Sequence, residues 1–116
     1  MKVSRLHPLR RVDYYLPDVS SIRIKVVETN GWYWNRLREF TIDKDSESDF
    51  FFECPMTKCF GNSSGISYFD CLYEMVQKKE KFRRTRLGCQ GYGGYNLSFH
   101  CDWYVVLEIE ITYLSL

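Results

Sequence analysis

The last third of the chain alternates strictly between two kinds of residue from Leu97 to Leu114. Every second residue is apolar or a cysteine, whereas the intervening set includes Glu108 and Glu110. Because side chains alternate across a pleated strand, this period predicts a strand with one buried face. Fully extended, the stretch would reach roughly 55 Å at ~3.3 Å per residue, so we expect a bend or bulge near Asp102 or Tyr104.

Four shorter stretches show the same period and predict four further strands of a sheet. Ser21 to Glu28 reads as a half-buried strand, and Thr29-Asn30-Gly31 supplies residues that favour a tight turn. A return strand to Asp43 would complete a hairpin. The remaining strands are expected at Asp49 to Cys54, with Phe50, Phe52 and Cys54 on one face, and at Arg83 to Cys89, with Thr85, Leu87 and Cys89 on one face.

Between the last two of these strands, apolar residues recur at the three- and four-residue spacing of a helix. Ser67 is a plausible N-cap with Asp70 in a capping-box position, and the helix is expected to end at about Lys81. Its apolar stripe consists of Tyr68, Cys71, Leu72, Met75 and Val76. We expect this stripe to pack on the buried face of the last strand.

These elements predict an α+β fold, with an antiparallel sheet of about five strands, one packed helix and a zinc-stabilised corner that joins residues 54–59 to residues 89–101. The 116 residues, of which 45% are hydrophobic, suffice for one core. We expect residues 1–19 to form an N-terminal arm, with a short edge strand near Val12 to Leu16, and residues 20–116 to form a single domain.

The formal net charge of +1 gives no overall preference for nucleic acid, membranes or acidic substrates. No apolar run approaches the ~18 residues of a membrane span, and the first residues lack the apolar centre of a signal peptide. The sequence therefore predicts a cytoplasmic protein without a membrane partner.

Five cysteines are many for a cytoplasmic chain of this length. Cys71 belongs to the helical stripe, where a cysteine acts as a small hydrophobic residue. The others form two pairs, Cys54 with Cys59 and Cys89 with Cys101, each pair flanking a predicted turn. Two such arms provide the four thiolates of a tetrahedral zinc site, so the sequence predicts a structural zinc ion.

The segment Phe52-Glu53-Cys54-Pro55 resembles the first knuckle of a zinc ribbon, although the two cysteine pairs enclose four and eleven residues where ribbons use about two. Two other states fit the same residues. In a reducing compartment the four thiols can be core residues, and a disulfide can join Cys54 to Cys59 or Cys89 to Cys101. A closed site with four cysteines would stabilise the fold and leave no open position for catalysis.

The sequence predicts that the protein is not an enzyme. Its two histidines, His7 and His100, lie in no nucleophile or metalloprotease motif. The glycines of residues 88–94 lack the Lys-Ser or Lys-Thr that follows a P-loop. A thiol-dependent enzyme is the least supported alternative, because no cysteine spacing indicates an activating base.

Binding of another protein is the function that the sequence predicts. Trp32, Tyr33 and Trp34 are candidate anchors, because tryptophan and tyrosine are enriched at energetically important interface positions. The alternative is that they pack beneath residues 1–19. A homodimer is expected if Tyr104, Val106 and Leu114 form an exposed apolar patch.

Binding of RNA or single-stranded DNA is the alternative function. The cations of residues 78–86 would contact phosphates, and Tyr92 or Tyr95 would stack on bases. These cations are Lys78, Lys79, Lys81, Arg83, Arg84 and Arg86. The alternative, which the sequence favours, is a solvated helix end, where positive charge complements the helix dipole.

Overall fold

The computed structural model describes residues 9–29, 35–54, 65–89 and 103–114. In chain order they form β1 (Arg10–Arg11), α1 (Val12–Tyr15), β2 (Val19–Thr29), β3 (Asn35–Asp43), β4 (Glu47–Ser48), β5 (Phe51–Glu53), β6 (Gly65–Ser67), α2 (Phe69–Gln77), β7 (Phe82–Gly88) and β8 (Tyr104–Tyr113). The predicted α+β class with antiparallel pairing is confirmed. In place of one sheet of about five strands, the described residues form one four-stranded and two two-stranded sheets.

The four-stranded sheet has the order β3-β2-β8-β7, so the strongly alternating strand β8 lies at its centre. Val105, Leu107 and Ile109 are fully buried, which confirms the predicted inward face. The hairpin is also confirmed, because β2 and β3 pair from Ser21 opposite Asp43 to Thr29 opposite Asn35. Residues 97–102 lie outside the described residues, so a bend near Asp102 stays a prediction. At the alternative position, Tyr104, β8 pairs with both β2 and β7 without a register shift.

Helix α2 packs its predicted stripe into the core. Leu72 and Met75 are fully buried, and Cys71 is partly buried against the same cluster. The predicted N-cap is wrong: Ser67 belongs to β6, and Tyr68 takes the N-cap position without a side-chain hydrogen bond. Since Ser67 pairs with Phe51 in a strand ladder, tertiary pairing overrides its capping preference.

Residues 12–15 form a short helix where the sequence suggested an edge strand. Val12 and Leu16 are buried in the core, and their spacing of four places both on one helical face. The N–H groups of Val12 and Asp13 donate to the carbonyls of Ser46 and Lys44, both at 2.8 Å. Carbonyl groups of the turn between β3 and β4 therefore accept hydrogen bonds from the first two N–H groups of α1.

An aromatic cluster fills the core between α1, β5 and α2. The ring centroids of Tyr15 and Phe50 lie 5.6 Å apart, and those of Phe52 and Tyr68 lie 4.7 Å apart in a stacked arrangement. Phe50, Phe52 and Cys54 are all buried as predicted, but they do not form one strand face: β5 spans only Phe51–Glu53, and Phe50 precedes it with a φ of 56°.

Candidate functional site

The two cysteines of the predicted zinc site that the structure describes are both buried. Cys54 is 7% exposed and Cys89 is 6% exposed. Cys59 and Cys101 lie outside the described residues. Within the described ranges, no group of three or more histidine, cysteine or acidic residues is placed to hold a metal ion. Zinc binding by all four cysteines therefore stays a prediction.

The candidate aromatic contacts lie outside the described residues as well. They are Trp32, Tyr33 and Trp34, between β2 and β3, and Tyr92 and Tyr95, between β7 and β8. Their roles stay predictions.

The structure describes the side chains of the predicted basic segment, residues 78–86, and half of its cations are paired with carboxylates. The pairs are Lys78 with Glu74 at 3.5 Å, Lys79 with Asp18 at 3.4 Å, and Arg83 with Glu80 at 2.5 Å and with Glu74 at 2.9 Å. Arg83 is the least exposed of these cations, at 22% of its side chain. Its guanidinium lowers the pKa of Glu74 and of Glu80 by hydrogen bonding to their carboxylates. Arg83 thus joins α2 to β7.

The other cations of this segment make no ion pair among the described residues. They are Lys81, Arg84 and Arg86, all exposed. Arg84 and Arg86 project from the side of β7 that faces away from the core. The Arg86 guanidinium carbon lies 3.9 Å from the centre of the Tyr104 ring, a cation–π contact. Three cations of the segment, Lys78, Lys79 and Arg83, therefore form ion pairs, and the other three form none among the described residues.

A buried carboxylate that the sequence analysis missed lies on the inner face of the sheet. Glu28 continues the inward set of β2 and is fully buried. Arg36 donates to it through Nε at 2.6 Å and Nη2 at 2.9 Å, and Arg38 donates through Nε at 2.9 Å. The sequence held a signal for this burial. Ile22, Ile24 and Val26 face inward at every second position, and Glu28 is the next position in that series.

A concavity among the described residues runs beside β3. This cleft, which we call the β3 cleft, has a volume of about 660 Å³ and lies between residues 38–42 and residues 46–52, with Tyr68 in its lining. The Phe40 and Phe52 ring centroids are 6.2 Å apart, and the Arg38 guanidinium lies 5.5 Å from the Phe52 ring centre. The cleft is therefore largely aromatic on its inner side.

β3 is an edge strand of the four-stranded sheet, and its outer edge lies beside this cleft. The Lys44 N–H donates to the Ser20 carbonyl at 3.0 Å. In the β2–β3 register, the even-numbered residues of β3 therefore direct their N–H and C=O groups toward β2. Alternate residues of an antiparallel strand direct their N–H and C=O groups to the same side. Leu37, Glu39 and Thr41 therefore direct theirs away from β2. Among the described residues, no strand pairs with that side of β3.

Two unusual backbone positions shape the opposite wall of the β3 cleft. Phe50 has a φ of 56°, a left-handed conformation that bulky residues rarely adopt. This conformation buries Phe50 while Phe51 remains partly exposed in the cleft lining. Gly65 has a φ of 149°, and a Cβ there would lie 2.2 Å from the Phe51 ring. Only glycine suits this position, because its missing side chain leaves room for the Phe51 ring.

Charge is distributed unevenly along the β3 cleft. Its lining holds one guanidinium, that of Arg38, and three carboxylates, those of Glu39, Glu47 and Asp49. Arg38 contacts the buried Glu28, and Glu39 contacts Arg23 at 2.8 Å on the outer face. Two of the three carboxylates, those of Glu47 and Asp49, lie on the wall formed by residues 46–52.

Two ionisable groups near the core have shifted pKa values because they are buried. Burial raises the pKa of Tyr68 to about 12, partly opposed by a hydrogen bond with the Ser48 side chain. Burial also raises the pKa of the Cys71 thiol, and the nearby Arg83 only partly opposes this. A raised pKa lowers the thiolate fraction, which is unfavourable for a thiol nucleophile.

The residues named for a homodimer surface differ in exposure. Leu114 is 40% exposed, whereas Tyr104 and Val106 are half-buried on the outer face of β8. Val27 and Leu37 extend the same apolar row across the sheet. Homodimer formation stays a prediction.

Comparison with protein-family models, with curated proteins and with solved structures finds no match for this chain. Among the residues that the structure describes, no helix is long and apolar enough to cross a membrane.

Proposed function

We propose that the chain is a non-enzymatic protein-binding module whose partner adds an extended segment to the open edge of β3. The observation that carries this proposal is the juxtaposition of an open strand edge with an aromatic cleft. Edge strands bind extended peptides through main-chain hydrogen bonds, and adjoining pockets select alternate side chains. Leu37, Glu39 and Thr41 would supply the hydrogen bonds, and Phe40 and Phe52 would contact the inward side chains.

A structural zinc ion held by Cys54, Cys59, Cys89 and Cys101 remains part of the proposal. It would join the segment after β5 to the connection between β7 and β8 and would stabilise the fold. The burial of Cys54 and Cys89 supports it.

Nucleic-acid binding through residues 78–86 remains the alternative proposal. Lys81, Arg84 and Arg86 support it, together with the stacking of Arg86 on Tyr104. The ion pairs of Lys78, Lys79 and Arg83 weigh against it, because paired cations contribute less to phosphate binding. A steep loss of nucleic-acid affinity with added salt would favour this alternative.

The test of the peptide-binding proposal is selection of short random peptides displayed on phage against the full chain, followed by affinity measurements with substituted proteins. Thr41→Pro removes one outward N–H and places a ring at the edge, which should weaken binding about tenfold or more. Arg86→Pro is the matched control, because its N–H also faces outward on the opposite edge strand, β7.

Equal affinity of the selected peptides for Thr41→Pro and Arg86→Pro would contradict edge binding at β3. Phe51→Ala provides a second variant, because it alters the partly exposed wall of the cleft without changing the strand backbone. Hydrogen exchange adds an independent measurement: the amides of Leu37, Glu39 and Thr41 should exchange more slowly when peptide is bound.

A further inference from the structure

We infer that the outer face of the four-stranded sheet packs against a second copy of the chain, related by a two-fold axis that runs along the strands between β2 and β8. The core cluster, with Leu72 and Met75 of α2, covers the other face of this sheet. The two copies would form a sandwich of two sheets. This inference does not rest on the proposed function, because the contact uses a sheet face and not the outer edge of β3.

Strand register arranges the side chains of the outer face in rows. The central row alternates in charge from β3 through β2 and β8 to β7. Its members are Glu39, Lys25, Glu108 and Arg84. In the row beside it, Arg23 of β2 lies opposite Glu110 of β8. In these two rows the central strands therefore differ in sign: β2 carries the cations and β8 carries the carboxylates.

An apolar row adjoins the charged rows. It crosses the sheet from Leu37 on β3 through Val27 on β2 to Val106 on β8. Leu37 is 68% exposed and Val27 is 38% exposed, whereas Val106 is half-buried. Phe82, on the outer face of β7, is 56% exposed. Contact with a second copy would remove this apolar surface from water, which is favourable.

The cations of β2 form ion pairs with β3 and none with β8. Arg23 and Lys25 contact Glu39 at 2.8 and 3.9 Å. Among the described residues, Glu108 and Glu110 form no ion pair, although they lie opposite these cations in the ladder. The face thus combines both signs of charge with apolar side chains, a composition that a second copy of the same face can match.

A two-fold axis along the strands makes the face complementary to itself. The rotation places β2 of one copy over β8 of the other without a shift along the strands. The facing pairs, each formed twice, are Lys25 with Glu108, Arg23 with Glu110, and Val27 with Val106. A two-fold axis across the strands would place the central row over itself, with like charges facing each other, so charge complementarity selects the axis along the strands. Aligned sheets cross at about 30°, and the pairs on the central strands, which lie nearest the axis, are displaced least.

The size of the face sets the expected affinity. Four strands at a spacing of ~4.8 Å, each presenting about nine residues at ~3.3 Å, cover about 600 Å² per copy. The total of about 1,200 Å² lies at the lower limit of specific interfaces. We therefore expect a Kd in the micromolar range, which added salt raises because the facing charges are screened.

Analytical ultracentrifugation of the full chain with two charge reversals tests this interface. The wild type should sediment as a dimer at about 100 µM. Lys25→Glu and Glu108→Lys should each raise the Kd about tenfold or more, because each places like charges at two symmetric contacts. An equimolar mixture of the two variants should restore the dimer, since the new carboxylate of one chain then faces the new ammonium group of the other. Lys78→Glu, after the helix that covers the other face of the sheet, is the matched control and should leave the Kd unchanged.

A double variant guards against misfolding of the single ones. Lys25→Glu with Glu108→Lys keeps opposite charges both within one chain and across the interface, so it should form a dimer as the wild type does. A wild-type chain that is monomeric at about 100 µM overturns the inference, and so does a dimer that survives both single reversals. A mixture that stays monomeric, together with a double variant that is folded by circular dichroism but monomeric, also overturns it.

Discussion

Lys79 shows how a single residue can hold a conformation that its type disfavours. Its φ is 56°, and it follows the C-cap of α2. The N–H groups of Lys79 and Glu80 donate to the carbonyls of Val76 and Met75, at 3.1 and 2.8 Å, which is the hydrogen-bond pattern of a Schellman motif. This motif ends the helix before Lys81, the residue at which the sequence predicted its end.

We predict that Lys79→Gly is more stable than Lys79→Ala by about 1 kcal/mol, because glycine adopts a left-handed conformation without a steric penalty. Both variants lose the ammonium group near Asp18, so their difference isolates the backbone effect. Urea denaturation measures it. Equal free energies of unfolding would show that the left-handed conformation costs nothing here.

The Tyr68 phenol provides a second prediction at the residue scale. Its pKa is raised to about 12 in the folded protein, against about 10 in an unfolded chain. Above pH 10 the unfolded state therefore binds fewer protons, and stability should fall by about 2–3 kcal/mol as the pH approaches 12. Absorbance titration and denaturation should show that Tyr68→Phe removes this part of the pH dependence. Identical alkaline profiles for both proteins would contradict the raised pKa.

The contact between α2 and β7 depends on Arg83, and we predict that it weakens in acid. The pKa values of Glu74 and Glu80 are lowered by this guanidinium. Their contribution to stability is present above the unfolded pKa of about 4.3 and is lost as the pH falls through the lowered folded values. Arg83→Met should therefore flatten the loss of stability in acid.

Arg84→Met is the matched control for this prediction, because Arg84 lies on the opposite face of β7 and makes no ion pair among the described residues. Denaturation of the three proteins across the acid range provides the comparison. Equal acid profiles for wild type and Arg83→Met would show that Arg83 does not stabilise the ionised carboxylates.

The proposed zinc site concerns the whole molecule, because its ligands come from distant parts of the chain. Elemental analysis should find about one zinc ion per chain, and a chelator should reduce the folded signal. Cys54→Ser should lower the zinc content, whereas Cys71→Ser should retain it, since Cys71 belongs to the apolar stripe of α2. Protein without metal and with all five thiols reactive would contradict the site.

Local patterns allowed much of the fold to be predicted. The alternation in β2 and β8 identified their buried faces, and the spacing in residues 68–76 identified the stripe of α2. The helical residues 12–15 and the pairing of Ser67 in β6 were missed, because their backbone partners lie far away in sequence. The candidate cleft was also missed: its walls come from separate strands, so no continuous motif marks it.

By itself, the sequence determined which residues face the core in the central strands, because side-chain alternation is a local property of an extended backbone. Only the tertiary structure decided that β3 lies at the edge of the four-stranded sheet that the described residues form, since strand order depends on pairings between distant segments. It also decided that Glu28 meets Arg36 and Arg38 in the interior. A buried carboxylate requires partners that the fold brings together, and these two lie on the neighbouring strand.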